Sequence, residues 1–176
     1  MIARSEVTLG DTSVYLGNPL PKTELQFQPA LTLFRNIRVQ ALLSRRAGYK
    51  TLNNTDRFRC AFAQNCRAIN DPTSPLADQA AAIAALLTTD AGYIQDASFT
   101  RLREVSVTFA APKQWAGAAR ANALSLTLAG RNLATWTNYK GLDPEVTSTP
   151  NQNFSTSDFL TLPPVRYLTA RLNLTF

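Results

Sequence analysis

The chain ends in RYLTARLNLTF, and its last ten residues alternate between apolar and polar side chains almost without exception. Every second position, which we call one parity, is apolar: Leu168, Ala170, Leu172, Leu174 and Phe176. The positions between them, the other parity, are mostly threonine, arginine and asparagine. In a β-strand, a period of two places such sets on opposite faces of the sheet. The segment is also as long as the roughly 9–11 residues that a tilted strand needs to cross a bilayer. Two interpretations follow: a membrane-spanning strand, or a half-buried strand of a soluble β-sandwich.

Four earlier segments alternate in the same way, namely LQFQPALTLF, IRVQALLS, RLREVSVTFAAP and ALSLTLAGRNLATW. Pro29 lies inside the first segment and predicts a bulge or interruption there. The first two segments flank a tight connection at Arg35 and Asn36, which predicts a hairpin. In the fourth segment Asn132 falls on the apolar parity, so the pattern breaks near that strand's end. The sequence therefore predicts an all-β fold of about five antiparallel strands.

The connections between these segments alternate in length. Those near 35–36 and 111–122 are short, whereas those near 48–96 and 137–162 are long. The first long connection carries a predicted helix over Leu76–Leu87, because an alanine-rich run follows Pro75. Outer-membrane barrels have short periplasmic turns and longer extracellular loops. If the carboxyl end is periplasmic, every short connection falls on the periplasmic side, which favours the membrane interpretation.

Composition excludes several classes of function. The chain has no histidine, one methionine and two cysteines, so the commonest general base and a multi-cysteine zinc site are both missing. The net charge is +6, but the basic residues are scattered from Arg4 to Arg171, which argues against a nucleic-acid partner. Asp143 and Glu145 are two carboxylates without further catalytic groups. We therefore expect no enzymatic activity, no cofactor and no nucleic acid.

The sequence contains no pattern for a transmembrane helix or a signal peptide. Its longest apolar candidate, Gln79–Thr89, is much shorter than the roughly 20 residues that a spanning helix needs. The start, MIARSEVTLGDTS, has no apolar core. Taken alone, these two features indicate a cytoplasmic protein. The alternating strands indicate a membrane protein instead, and so does the placement of every short connection on one side and every long connection on the other.

Four stretches carry a resemblance to a known family: VYLGNPLPKTE, FTRLREVSVTFAAPKQW, LTLAGRNLATWTNYKGLDPEV and the terminal RYLTARLNLTF. Together they resemble the end of SusC/RagA-type TonB-dependent outer-membrane transporters. The resemblance extends over nearly the whole chain and is least diagnostic over Tyr49–Asp90. It implies that residues 1–176 form one segment, the carboxyl-terminal part of a transmembrane β-barrel with long extracellular loops.

The family's properties extend this expectation. Its members are barrels of roughly 22 strands with an amino-terminal plug. They import oligosaccharides, peptides or similar nutrients, are energised by TonB, and often carry a SusD-like surface lipoprotein. The resemblance implies that the plug, the TonB-contacting segment and the signal peptide lie upstream of Met1. It also implies an integral outer-membrane location, contact with outer-membrane lipid and insertion by the barrel-assembly machinery.

Several residues acquire candidate roles from the same resemblance. Ala170, Leu172, Leu174 and Phe176 match the alternating terminal pattern that the assembly machinery reads. Cys60 and Cys66 would lie in an extracellular loop, where the oxidising environment favours a disulfide, although two separate thiols are the alternative. Arg131 and Arg171 lie on the polar parity of their strands. They either line the solute path and pair with plug carboxylates, or are solvated charges of the barrel wall.

Overall fold

The computed structural model describes residues 1–11, 13–87, 89–118, 120–148 and 156–176. The described residues form two compact units. The sheet unit comprises Thr23–Arg46, Phe99–Trp136 and Pro164–Phe176, and the loop unit comprises Met1–Lys22, Ala47–Ser98 and Thr137–Pro163. Each unit is therefore assembled from three separate stretches of the chain.

The strands of the sheet unit confirm the five predicted segments. They are β1 (Thr23–Phe27), β2 (Ala30–Leu33), β3 (Ile37–Ala47), β6 (Phe99–Ala110), β7 (Ala123–Thr137) and β9 (Tyr167–Thr175). The strand order is β1-β3-β6-β7-β9, and β2 also pairs with β3. Strands β1 and β2 are two halves of one predicted strand, interrupted at Gln28 and Pro29 as the proline predicts.

The register of the sheet unit keeps like residues opposite one another. The antiparallel β3–β6 ladder pairs Ile37 with Phe109 and Val39 with Val107. The antiparallel β7–β9 ladder continues this pattern with the pairs Leu124–Leu174, Leu126–Leu172 and Leu128–Ala170. A slip of one residue would move these side chains to the other face, so the alternation itself specifies the register. The result is a sheet with one apolar face and one polar face.

Two local irregularities explain where the alternation changes. The β3–β6 register shifts between Leu42 and Leu43, which face Glu104 and Leu102, so Arg103 is an extra residue on β6. On β7, Asn132 has a positive φ of 53°, and its side-chain amide donates a hydrogen bond to the Val165 carbonyl. Asparagine tolerates this left-handed conformation better than most residues. The broken parity at Asn132 is therefore a conformational break in the strand.

The two short connections differ in structure. In the three-residue β2–β3 connection, Phe34 and Arg35 have φ values of 49° and 64°, and the Asn36 amide donates to the Leu33 carbonyl at 3.2 Å, which closes a tight turn with two left-handed residues. The 111–122 connection instead contains a helix, α4 (Lys113–Ala118), that the sequence pattern did not predict. Both connections are nevertheless short, as expected.

The loop unit contains more regular structure than the sequence predicted. The predicted helix is confirmed as α3 (Leu76–Leu86). Helices α1 (Asn54–Ala61) and α2 (Arg67–Asn70) were missed, and so was a three-stranded sheet with the order β5-β4-β8. Its strands are β4 (Lys50–Asn53), β5 (Ile94–Asp96) and β8 (Ser157–Asp158), and two 3₁₀ turns cover Arg4–Glu6 and Ala91–Tyr93. Within the described ranges, every helix is too short or too polar to span a bilayer.

Candidate functional site

The most unusual surface of the molecule is the apolar face of the sheet unit, which we call the apolar band. Its side chains remain largely in contact with solvent: Leu128 is 53% exposed and Leu172 is 60% exposed. Soluble monomers rarely expose a contiguous apolar patch of more than a few hundred Å². The band comprises Leu31, Leu33, Ile37, Val39, Ala41, Leu43, Val105, Val107, Phe109, Leu124, Leu126, Leu128, Leu168, Ala170, Leu172 and Leu174.

The height of the apolar band is compatible with a membrane. On β3 the band runs from Ile37 to Leu43, six residue steps. At roughly 3.3 Å per residue this is about 20 Å along the strand, which becomes about 15 Å of height at the tilt of barrel strands and lies within the roughly 25 Å apolar belt of outer-membrane barrels. The band has no charged member. Its composition therefore suits lipid, and its height does not exceed the apolar belt.

The opposite face of the same strands is polar and internally paired. The Arg131 guanidinium donates from Nε to the Glu104 carboxylate at 2.6 Å and from Nη1 to the Tyr167 hydroxyl at 3.2 Å. The hydroxyl oxygens of Thr108 and Thr127 lie 2.9 Å apart. These contacts satisfy polar groups without requiring them to enter the apolar band. Arg131 is therefore part of a hydrogen-bonded network on this face.

Arg171 occupies the same face as Arg131, since it lies opposite Thr127 in the β7–β9 register. Two further arginines were not singled out by sequence reasoning. Arg101 donates from Nε to the Thr135 hydroxyl at 3.0 Å, and Arg103 donates from Nε to the Ser44 hydroxyl at 2.6 Å. The bulge at Arg103 disturbs the simple alternation that would have marked them. The polar side of this sheet is consequently rich in arginine.

The residues of the candidate assembly signal belong to the apolar band or continue it. Ala170, Leu172 and Leu174 lie on β9 opposite leucines of β7, and Phe176 follows β9 with the same parity. Strand β9 is the last strand in the order of the sheet, so one of its edges is unpaired within the described residues. The structure thus defines the position of these residues, and their recognition by assembly machinery stays a prediction.

Cys60 and Cys66 are joined by a disulfide in the loop unit, with their Cα atoms 4.9 Å apart. Both residues are buried and pack with Ala82, Ala85 and Tyr93. Cys60 lies on α1, Cys66 immediately precedes α2, and the two alanines lie on α3. The bridge therefore forms the centre of the helical part of this unit.

Replacing both Cys60 and Cys66 with alanine is expected to destabilise the loop unit by about 2 kcal/mol, because a short closed loop is released in the unfolded state. Hydrogen exchange on the receptor that contains this segment measures the effect. Amides of α1 and α3 should exchange roughly thirtyfold faster, whereas amides of β7 should be unchanged. Equal exchange in α1 and α3 with and without the cysteines would contradict a stabilising role for the bridge.

A buried polar cluster organises the second long connection. The Tyr139 hydroxyl donates to Oδ2 of Asp158, and the Thr55 amide donates to Oδ1 of the same carboxylate at 3.2 Å. The pKa of Tyr139 is raised far above its usual value, first by burial and then by this bond to Asp158. A phenol held in its neutral form beside a carboxylate is a structural donor at physiological pH.

The GLDPEV stretch, in which Pro144 separates Asp143 from Glu145, forms a turn. The Asp143 carboxylate accepts a hydrogen bond from the Glu145 amide at 2.8 Å, and the buried Tyr49 hydroxyl donates to the Pro144 carbonyl at 2.9 Å. Asp143 thus stabilises the backbone of the turn. This geometry supports a structural role for Asp143.

A cleft of about 580 Å³ lies beside the disulfide and is lined by charged and polar groups, including Arg59, Asp78 and Lys140. Lys140 and Asp78 form an ion pair at 2.8 Å across it. In the part of the chain that the structure describes, no cluster of three or more histidine, cysteine, aspartate or glutamate side chains is arranged to hold a metal ion.

Comparison with known proteins gives a sequence relative and several similar structures. No family model matches the chain. The TonB-dependent receptor P3 of Formosa agariphila is 27% identical over 180 residues, which cover 97% of this chain and 18% of that receptor. The chain thus spans about a fifth of the length of the curated relative that it matches.

Structures of the RagAB peptide importer are among the similar structures. In its open-open state the match has a TM-score of 0.61 at 20% identity and covers 90% of this chain and 17% of the other. In the closed-closed state the TM-score is 0.66 at 22% identity, with coverage of 89% and 17%. At these identities the match establishes a common fold. The sequence relative and the common fold agree with the resemblance to the end of SusC/RagA-type TonB-dependent transporters that the motifs quoted above carry.

Proposed function

We propose that this chain is a membrane-spanning part of an outer-membrane TonB-dependent transporter and that its sheet unit forms part of the barrel wall. The exposed apolar band carries the proposal. A soluble β-sandwich buries the apolar face of each sheet against the other sheet. Leu128 and Leu172 instead remain more than half exposed, in register with apolar partners. Lipid is the environment that such a face fits.

The edges of the sheet support the same proposal. Strands β1 and β9 end the strand order and leave backbone N–H and C=O groups unpaired among the described residues. Hydrocarbon cannot satisfy these groups, so a membrane sheet must close into a barrel. Further strands must therefore pair with both edges. The length of the sequence relative, of which the chain matches 18%, leaves room for them.

The transport role is proposed on the same basis. The arginine-rich polar face would border the lumen, where a solute or a plug would meet Arg131 and Arg171. The imported nutrient would be an oligosaccharide, a peptide or a similar solute, and the importer named among the similar structures makes peptides the first class to test. TonB would act through a part outside these residues, and a SusD-like lipoprotein would bind at the surface. Residues 1–176 then act as one carboxyl-terminal, non-enzymatic segment.

Heat-modifiable migration tests the membrane part of the proposal. The receptor that contains this segment should be recovered in the outer-membrane fraction. After detergent extraction, the unheated protein should migrate differently from the boiled protein on a denaturing gel, because a closed barrel stays folded in the detergent until it is heated. A soluble β-sandwich should migrate to the same position with and without boiling. Recovery in the soluble fraction with unchanged migration would overturn the proposal.

Uptake tests the transport part. Cells that depend on oligopeptides or on oligosaccharides should lose growth on one of these nutrients when the receptor gene is deleted. The loss should be reproduced by a protonophore, since TonB-dependent import needs an energised membrane. Equal growth of deleted and parental cells on both nutrient classes would contradict transport of these nutrients while leaving the membrane fold intact.

A further inference from the structure

The two short connections and the end of β9 lie together at one end of the sheet unit. The Ala110 amide donates to the Asn36 carbonyl at 2.8 Å, which joins the β2–β3 turn to the end of β6. The Asn122 amide donates to the Thr175 carbonyl at 2.6 Å, which joins the 111–122 connection to the end of β9. Residues that are distant in sequence therefore form one rim.

This rim combines exposed aromatic rings with exposed cations. Phe34 is 88% exposed, Trp115 is 59% exposed and Phe176 is 79% exposed. Three basic side chains accompany them at exposed positions. We call these six residues the collar: Phe34, Arg35, Lys113, Trp115, Arg120 and Phe176.

The collar continues the apolar band. The Trp115 ring lies 5.9 Å from the Phe109 ring, centroid to centroid, and Phe109 is a member of the band on β6. Arg35 directly follows Phe34, and Lys113 lies two residues before Trp115. The collar thus places exposed aromatic rings and cations beside the apolar band. Aromatic and basic residues are those that flank the hydrocarbon region at a membrane interface.

The charge of the collar is not offset by acidic side chains in the connections that carry it. Neither short connection, FRN or APKQWAGAARAN, contains an aspartate or glutamate. The sheet unit has eleven lysines and arginines but two acidic side chains, Glu24 and Glu104. Glu24 pairs with Arg46 at 3.4 Å, and Glu104 pairs with Arg131 at 2.6 Å. Both acidic side chains are thus engaged elsewhere.

The loop unit, in contrast to the sheet unit, has more acidic than basic residues. The remaining seven basic and ten acidic residues (18 minus 11, and 12 minus 2) belong to the loop unit. The basic excess of the chain is therefore a property of the sheet unit, although the cations appear scattered along the sequence. Three of its eleven cations lie on the collar, next to exposed aromatic rings.

We propose that the collar binds the headgroups of acidic phospholipids at the membrane leaflet that it reaches. The inference rests on the proposed membrane-spanning role of the sheet unit. The rings of Phe34, Trp115 and Phe176 lie at the interface, and Arg35, Lys113 and Arg120 contact phosphate groups. A basic side chain near an anionic lipid surface contributes favourably, and several such side chains select acidic over zwitterionic lipid.

Native mass spectrometry with added lipid tests the proposal. The receptor that contains this segment, purified in mild detergent and stripped of lipid, is titrated with dioleoyl phosphatidylglycerol or with dioleoyl phosphatidylcholine. The charge-neutralised triple variant R35Q/K113Q/R120Q should retain fewer phosphatidylglycerol molecules than the wild type. The affinity of this rim for phosphatidylglycerol should fall about fivefold for each charge removed, while the affinity for phosphatidylcholine stays the same.

A second triple variant with the same change in net charge serves as the control. Its three arginines are exposed and lie outside the collar: R4Q/R59Q/R166Q. This variant should retain phosphatidylglycerol like the wild type. Equal retention by the collar variant and the control, in receptors that all show heat-modifiable migration, would overturn the inference and leave the proposed function standing. A wild-type receptor that is not heat-modifiable would instead count against the proposed function.

Discussion

Replacing Leu128 with arginine is expected to destabilise the membrane-inserted receptor by about 2–4 kcal/mol, the cost of a lipid-facing arginine near the midplane of a barrel. Leu128 lies on β7 opposite Ala170, well inside the apolar band. The long arginine side chain has to reach water or draw water into the lipid, and neither Leu126 nor Leu172 can satisfy its donors. We expect a lower midpoint for urea unfolding in vesicles and a smaller heat-modifiable fraction in cells.

The neighbouring residue provides a matched control, because Ala129 is next in sequence and faces the other way. It lies opposite Thr169 and lines a cleft of about 350 Å³ on the polar face, together with Glu104 and Arg131. Ala129→Arg adds the same charge at nearly the same depth, in a place where polar partners are available. It should lower the unfolding midpoint much less than Leu128→Arg. Equal effects of the two substitutions would show that the apolar band does not face lipid.

The contrast between these two neighbours also explains why the sheet unit could be predicted from sequence. A strand with different environments on its two faces must alternate between apolar and polar side chains, and this requirement can be read within each strand by itself. The break at Asn132 and the interruption at Pro29 were visible for the same reason, since each residue violates the pattern at one position. The strand count and the hairpin therefore followed from short stretches of sequence.

The bulge in β6 could be predicted in part from the sequence. Val105, Val107 and Phe109 have odd numbers, whereas Leu102 is even, and this change of parity marks the extra residue at Arg103. Helix α1 also left a trace, because the Asn53 side chain accepts a hydrogen bond from the Asp56 amide, three residues on, as an N-cap. Both features depend on one or two residues. An alternation that covers a whole strand is much easier to recognise.

The architecture of the loop unit could not be predicted, because it depends on contacts between distant stretches. Strand β4 pairs in parallel with β8, with Leu52 opposite Ser157. The hydroxyl oxygens of Thr51 and Thr156 lie 3.1 Å apart, although the residues are separated by 105 positions. A two-residue strand such as β8 has no periodicity of its own. Its position follows from the packing of both long connections, which no local pattern specifies.

Gly141 provides the strongest test of that packing. A Cβ atom added at this glycine would lie 2.5 Å from Oδ2 of Asp158 and even closer to the ring of Tyr139. Neither neighbour can move freely, since the Tyr139 hydroxyl and the Asp158 carboxylate are bonded to each other and buried. Gly141→Ala should therefore destabilise the loop unit by about 1–3 kcal/mol, the usual cost of overpacking. Hydrogen exchange of the amides of β4 and β8 measures this loss.

Gly10 is the matched control in the same unit, because a Cβ atom there would meet nothing within 4 Å. Gly10→Ala should leave exchange in β4 and β8 unchanged, and equal effects of the two alanines would contradict the steric explanation. A double substitution adds a sharper criterion. Tyr139→Ala removes the nearer obstacle and the bond to Asp158, so Gly141→Ala should cost less in that background than alone. A full and additive cost in both backgrounds would contradict crowding by Tyr139 and leave the contact with the Asp158 carboxylate as the cause.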